Sequence, residues 1–253
     1  MARASTASRA RRGAASGRTR RAAATAGPAL LTGAARPALL LLAAWVAYRL
    51  YPYVPVLDVA KYWHAIRPVL LDPLPHGSDP FRLCVMWLLC CMLIEAVAGA
   101  ARAGRWFAIL AGGILAAKIV IIDNAPGSAD IAGACVAYVL WLLLFRRAPA
   151  RHALLALLFA AMLVALRLSP AAPHGLAWPA LAEKLFLYGG LIWLLMGAGL
   201  RPLFATGATA ALLLAIGLSH AHGPAAATEA VLALGAGALL YGAGLSLPRL
   251  SRP

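Results

Sequence analysis

The sequence predicts an all-α polytopic membrane protein, a bundle of about eight spanning helices. Three observations carry that expectation. Hydrophobic residues make up 63% of the 253-residue chain, against about 45–50% in soluble domains. Charged residues make up only 12%, about half the usual share. The mean hydropathy is +0.81, and the apolar residues fall in runs long enough to cross hydrocarbon. These values exclude an ordinary soluble enzyme, a disordered chain and a secreted disulfide scaffold.

The elements follow in chain order. Residues 1–36 are rich in Ala, Ser, Thr, Gly and Arg, without an acid or an aromatic ring. They cannot bury enough apolar surface to order themselves, so a flexible basic cytoplasmic tail is expected. The composition also resembles an organellar transit peptide. Residues 37–253 then form the transmembrane domain. A spanning helix needs roughly 20 mostly apolar residues. Windows of that kind occur at 37–54, 81–101, 105–123, 128–146, 152–169, 182–200, 202–219 and 226–247. Glycines within them, such as Gly112-Gly113 and Gly189-Gly190, suit close helix approach in lipid. Between the first two windows, Val56, Val59, Trp63, Ile66 and Leu70 share one face of a helical wheel. That pattern predicts a short amphipathic helix lying in the outer interface, with Tyr62 and Trp63 at headgroup depth.

Charge sets the expected orientation. With the N-terminus inside and eight alternating spans, the inner side holds sixteen basic residues against the single acid Glu95. The outer side holds seven basic and seven acidic residues. Positive charge collects on the cytoplasmic side of membrane proteins. Both termini are therefore expected in the cytoplasm, and the net charge of +15 reads as a topology signal, with no nucleic-acid partner implied. The halves also resemble each other weakly. Arg36-Pro-Ala-Leu-Leu answers to Arg151-His-Ala-Leu-Leu, Arg49-Leu-Tyr-Pro52 to Arg167-Leu-Ser-Pro170, and Asp130 to Glu229. A 4+4 parallel repeat, of the kind found in transport folds, and the general likeness of Ala/Leu-rich helices both account for this.

Ionisable residues in spans are costly and mark function by default. The candidate binding cluster lies on the outer side. It comprises Asp58, Lys61, Trp63 and His64 of the amphipathic segment, with Asp79, Arg82, Lys118, Asp123 and Asp130 at helix ends. Lys118 is expected to face protein and meet Asp123 or Asp130. The competing account of the cluster is structural ion pairing with snorkelling near helix ends. No catalytic residue is assigned. Neither metal nor cofactor is expected: Cys84, Cys90, Cys91 and Cys135 lie in apolar runs, and His220-Ala-His222 lacks a third ligand at clear spacing. His64, His76 and His174 are also placed outside.

Two stretches resemble the VanZ-like family of membrane proteins. One is Arg49–Arg67, RLYPYVPVLDVAKYWHAIR, which looks like the outer loop after that family's first helix. The other is IIDNAPGSADIAGACVAYVLW, residues 121–141, similar to its closing motif, with Asp130 and Gly133 at the motif positions. The resemblance covers roughly residues 37–146. The chain departs from the pattern at two places. Lys118 or Asp123 stands for the usual acid late in the third helix, and Gly133 for the usual Asn. The family implies a link to the bacterial cell envelope and to glycopeptide resistance, notably to teicoplanin. The function expected on this basis is an accessory inner-membrane protein that engages lipid or a lipid-linked glycan at its outer face. A membrane enzyme acting on a lipid-linked envelope precursor and a small transporter are the alternatives. Oligomeric state and ligand identity are not legible.

Overall fold

The structure, a computed structural model, describes residues 35–56, 58–71, 79–122, 126–168, 178–219 and 223–243. Nearly all of the basic tail therefore lies outside the described residues. So do Asp72, Asp123, His76, His174, His220 and His222.

The described residues form nine α-helices. They are α1 (Ala35–Leu50), α2 (Val59–Leu71), α3 (Asp79–Ala98), α4 (Ala100–Val120), α5 (Ser128–Leu140), α6 (Arg151–Leu168), α7 (Trp178–Gly197), α8 (Pro202–Ser219) and α9 (Gly223–Gly242). A π-helical turn, Trp141–Phe145, prolongs α5. Each of the eight apolar windows holds one helix, and α2 is the amphipathic insert between the first two. Pro80–Ala98, Ala100–Val120, Ser128–Phe145 and Pro179–Gly197 are long and apolar enough to cross a membrane. Helices are the natural form there, because hydrocarbon offers no partner for backbone N–H and C=O groups.

The connections are tight. A single residue, Gly99, separates α3 from α4, and its φ of +79° is a conformation that costs glycine little. The amide of Gly99 closes α3 on the carbonyl of Glu95, and its own carbonyl receives the amides of Arg102 and Ala103. At the end of α7, the amide of Leu200 reaches back to the carbonyl of Leu195, with Gly199 at φ +104°. This is a Schellman-type ending, after which Pro202 opens α8.

Two helices form the centre. From Val85 to Ile94, α3 is buried on every side, packed among α1, α4, α5 and α6. α7 is similarly surrounded by α1, α6, α8 and α9. The core between them is aromatic. Tyr48, Trp45, Trp87, Phe107, Tyr138 and Trp141 form a column with successive ring centroids 5.4 to 6.0 Å apart. The Phe186 ring of α7 lies against Trp45, with centroids 4.7 Å apart and the planes tilted by 31°. The outer faces are apolar too, with Leu143, Leu157, Leu203, Phe204 and Val231 exposed. In water such a surface would be an association hazard. Around a membrane-spanning bundle it faces lipid.

Where glycine was expected to permit close approach, the positions divide. A Cβ on Gly133 would stand 2.9 Å from the Leu83 Cβ, and one on Gly190 2.5 Å from a Leu89 methyl. Gly112 and Gly113 have open space instead. Cys90 and Cys91 are buried as expected of small hydrophobes, whereas Cys135 is exposed on α5.

Candidate functional site

The charged side chains gather at the two ends of the bundle. At the first end, the last turns of α1 and α4 meet the first turn of α5. Asp130 receives Lys118 Nζ on Oδ2 at 2.6 Å and Arg49 on Oδ1. All three side chains are nearly inaccessible, at 7–8% exposure. Burial of this kind is costly unless each charge is paired and hydrogen-bonded, and here both carboxylate oxygens are engaged by cations. The position of Asp130 in the first turn of α5 adds the favourable field of a helix N-terminus. Arg49 also lies over the Trp45 ring, 5.1 Å from its centroid.

The same end continues across the bundle. Arg82 of α3 donates to the Tyr48 hydroxyl at 3.0 Å and pairs with Glu183 of α7 at 3.5 Å. Next on α7, Lys184 Nζ lies 2.8 Å from Glu229 Oε1 of α9, and the Tyr188 hydroxyl donates to Glu229 Oε2. Six helices, α1, α3, α4, α5, α7 and α9, are thus joined by ionic or hydrogen-bonded contacts at this end.

The segment between α1 and α2 is clasped onto the end of α4. The Val56 amide donates to the Val120 carbonyl and the Ile122 amide to the Val54 carbonyl, each at 2.9 Å, around an antiparallel bridge of Pro55 with Ile121. Lys61 Nζ adds a bond to the same Val120 carbonyl at 3.3 Å. Asp58 starts α2 by accepting the Ala60 amide at 2.9 Å, as an N-cap residue does. Trp63 is 58% exposed and His64 is exposed as well. Trp63 and Leu70 of the apolar face thus do not fold down on the bundle; among the described side chains of α2 only Ala65 is buried.

At the opposite end, Glu95 of α3 accepts Arg151 of α6 at 2.7 Å and the Trp141 indole N–H at 3.0 Å. The π turn begins at Trp141, with the Arg146 amide donating to its carbonyl. A cavity of about 90 Å³ beside this group is lined by Met92, Glu95, Ala96, Arg151, His152 and Trp193.

The predicted cluster is thus brought together in part. Lys118 and Asp130 are direct partners. Arg82 belongs to the same end but turns toward Tyr48 and Glu183. Lys61 supports the clasp, while Asp58, Trp63 and His64 stand on the exposed helix above it. The side chain of Asp79 lies outside the described residues, as Asp123 does. Sequence reasoning missed Arg49 as the second cation on Asp130, although its place one residue from Tyr48 near the end of α1 was a usable signal. It also missed the Arg82–Glu183, Lys184–Glu229 and Arg151–Glu95 pairs, whose members are 45 to 101 residues apart. Such separations leave no local spacing to read.

Chemically, this arrangement is better suited to fixing helices than to moving protons. Each carboxylate oxygen of Asp130, Glu95 and Glu229 is already taken by a named donor. Compared with known protein families, with curated proteins and with solved structures, the chain matches none.

Proposed function

We propose that the chain is a VanZ-like accessory protein of the bacterial inner membrane. On this reading eight helices span the bilayer, both termini are cytoplasmic, and the Asp130 end faces outward. There it engages membrane lipid or a lipid-linked envelope precursor. The observation that carries the reading is the clasped amphipathic helix. α2 is tied by backbone bonds to α4 at the ion-paired end, yet it presents Trp63, His64 and Leu70 away from the bundle. Rings and cations at such a height meet lipid headgroups. The occupied carboxylates weigh against the enzyme alternative. The absence of charge at mid-depth among the described residues of the spans weighs against a transport path.

The 4+4 parallel repeat belongs to the same proposal. It is supported by neighbour relations that recur in both halves: α1 lies against α7 as α6 lies against α3. In each half the final helix brings an acid to a cation of its own half, Asp130 to Lys118 and Glu229 to Lys184.

Three experiments test the reading. A photoreactive phenylalanine at position 63 should cross-link lipid or lipid-linked glycan in intact cells, whereas the same group at Ala111, inside the core, should not. Reporters should place residues after Arg252 in the cytoplasm and residues 170–180 outside. Equal cross-linking at both positions, or inverted reporters, would overturn the proposal. Deletion of the chain should change teicoplanin susceptibility if the glycopeptide link holds.

A further inference from the structure

Away from the ion pairs, a trough of about 660 Å³ runs between α1, α7 and α9. Its walls are small where the helices face one another: Ala43, Ala44 and Ala47 on α1, Ala182 on α7, Gly235 and Ala236 on α9. At one end α1, α7 and α9 close together, where a Cβ on Gly189 would stand 2.7 Å from Leu41 and 3.5 Å from Leu240. Toward the Asp130 end, Lys184 is the charged residue in the wall. Val231 to Leu239 line the α9 side, a length of about 12 Å at the helical rise per residue. Gly235 has no atom within 4 Å of where its Cβ would be.

We propose that this trough holds one hydrocarbon chain of a net-anionic membrane phospholipid whose phosphate, with no cationic group beside it, is received by Lys184. The inference rests on the reading of the protein as one that engages lipid, and it names the ligand. The walls are too apolar to hold water, which needs two to four polar partners at a site. A hydrocarbon chain has the matching polarity and is present at that depth. The headgroup assignment comes from Lys184. Its ammonium has three N–H donors, and one goes to Glu229 at 2.8 Å. The side chain retains 18% exposure at the mouth of the trough. Glu229 is held by Tyr188 as well, so a phosphate can share Lys184 without stripping Glu229 of its donors.

The test is native mass spectrometry of the full chain in mixed micelles containing either palmitoyl-oleoyl phosphatidylglycerol or the matching phosphatidylcholine. The chain should retain one phospholipid, with phosphatidylglycerol favoured at least fivefold. Gly235→Leu puts a side chain into the open space and should reduce retention at least fivefold, with an unchanged melting temperature. Ala43→Leu fills the trough from α1 and should act alike, which covers the case of one variant misfolding. Leu234→Ala, on the exposed side of α9, should retain lipid as the parent chain does. Lys184→Gln should keep the lipid but lose the preference for phosphatidylglycerol. Undiminished retention in both filled variants, or no retention by the parent chain, overturns the proposal. So does a dimer that the filled variants abolish, since a second copy would then occupy the trough. The micelles contain no glycan and position 63 is unaltered, so failure here is distinct from failure of outer-face engagement.

Discussion

Replacing Asp130 by Asn should be the most damaging single change at the ion-paired end. The carboxylate serves Lys118 and Arg49 together, and all three side chains are at 7–8% exposure. Removing one member of a buried ion pair costs about 3–5 kcal/mol, because a charge is left uncompensated. Asp130→Asn withdraws the acid from two cations, so its cost should lie at the upper part of that range. Lys118→Met is milder. It leaves Asp130 on Arg49 and removes one charge-assisted bond, worth about 1.5–3 kcal/mol. From the sequence alone, Lys118→Met would be expected to cost more than removing both charges, and the second cation changes that order. In the double variant the cost should fall short of the sum of the singles by about 1–3 kcal/mol, the coupling expected of direct contacts. Reversible unfolding in mixed micelles, titrated with sodium dodecyl sulfate, measures all three. Additive effects, or an Asp130→Asn cost below about 1 kcal/mol, would refute the shared-carboxylate account.

Glu95→Gln keeps an acceptor for the Trp141 indole but loses the charge facing Arg151, and should cost about 1–2 kcal/mol in the same titration. An unchanged midpoint would mean that the pair contributes nothing. Gly133→Ala forces a methyl to within 2.9 Å of Leu83, an overpacking of about 1–3 kcal/mol. Gly112→Ala, in open space, should be neutral or gain up to about 1 kcal/mol from helix propensity; equal losses at both sites would deny the close α3–α5 approach. Cys90 and Cys91 are buried, so a water-soluble maleimide should leave both unlabelled in native micelles and label them once the chain is denatured. Rapid native labelling would contradict the burial of α3.

What was legible in the sequence followed from properties that act locally. The apolar windows fix helices because the backbone must satisfy itself in lipid, and the eight windows each hold one. The amphipathic stripe over Val56–Leu70 located α2, since its period needs no tertiary information. The Lys118–Asp130 pair was within reach because its members are 12 residues apart, on consecutive helices at one level. Arg151 and Glu95, 56 residues apart, had no such constraint; which helix faces which is decided by packing. The same applies to the trough. Ala43, Ala182 and Gly235 read as ordinary small residues, and only the packing of three helices around one cavity gives them a shared volume.

The double engagement of Asp130 also imposes an order on biosynthesis. Arg49 precedes Asp130 by 81 residues, and Lys118 precedes it by 12. Translation at about 5–20 residues per second puts roughly 4–16 s between the emergence of Arg49 and that of its acid. During that interval α1 cannot settle at its final depth with Asp130 as counter-charge, and its arginine must stay near the interface by snorkelling. A nascent chain halted after α4 carries both cations and neither carboxylate oxygen of Asp130. The triad can therefore close only once the first turn of α5 has been made, and its closure needs no residue of α6 or beyond.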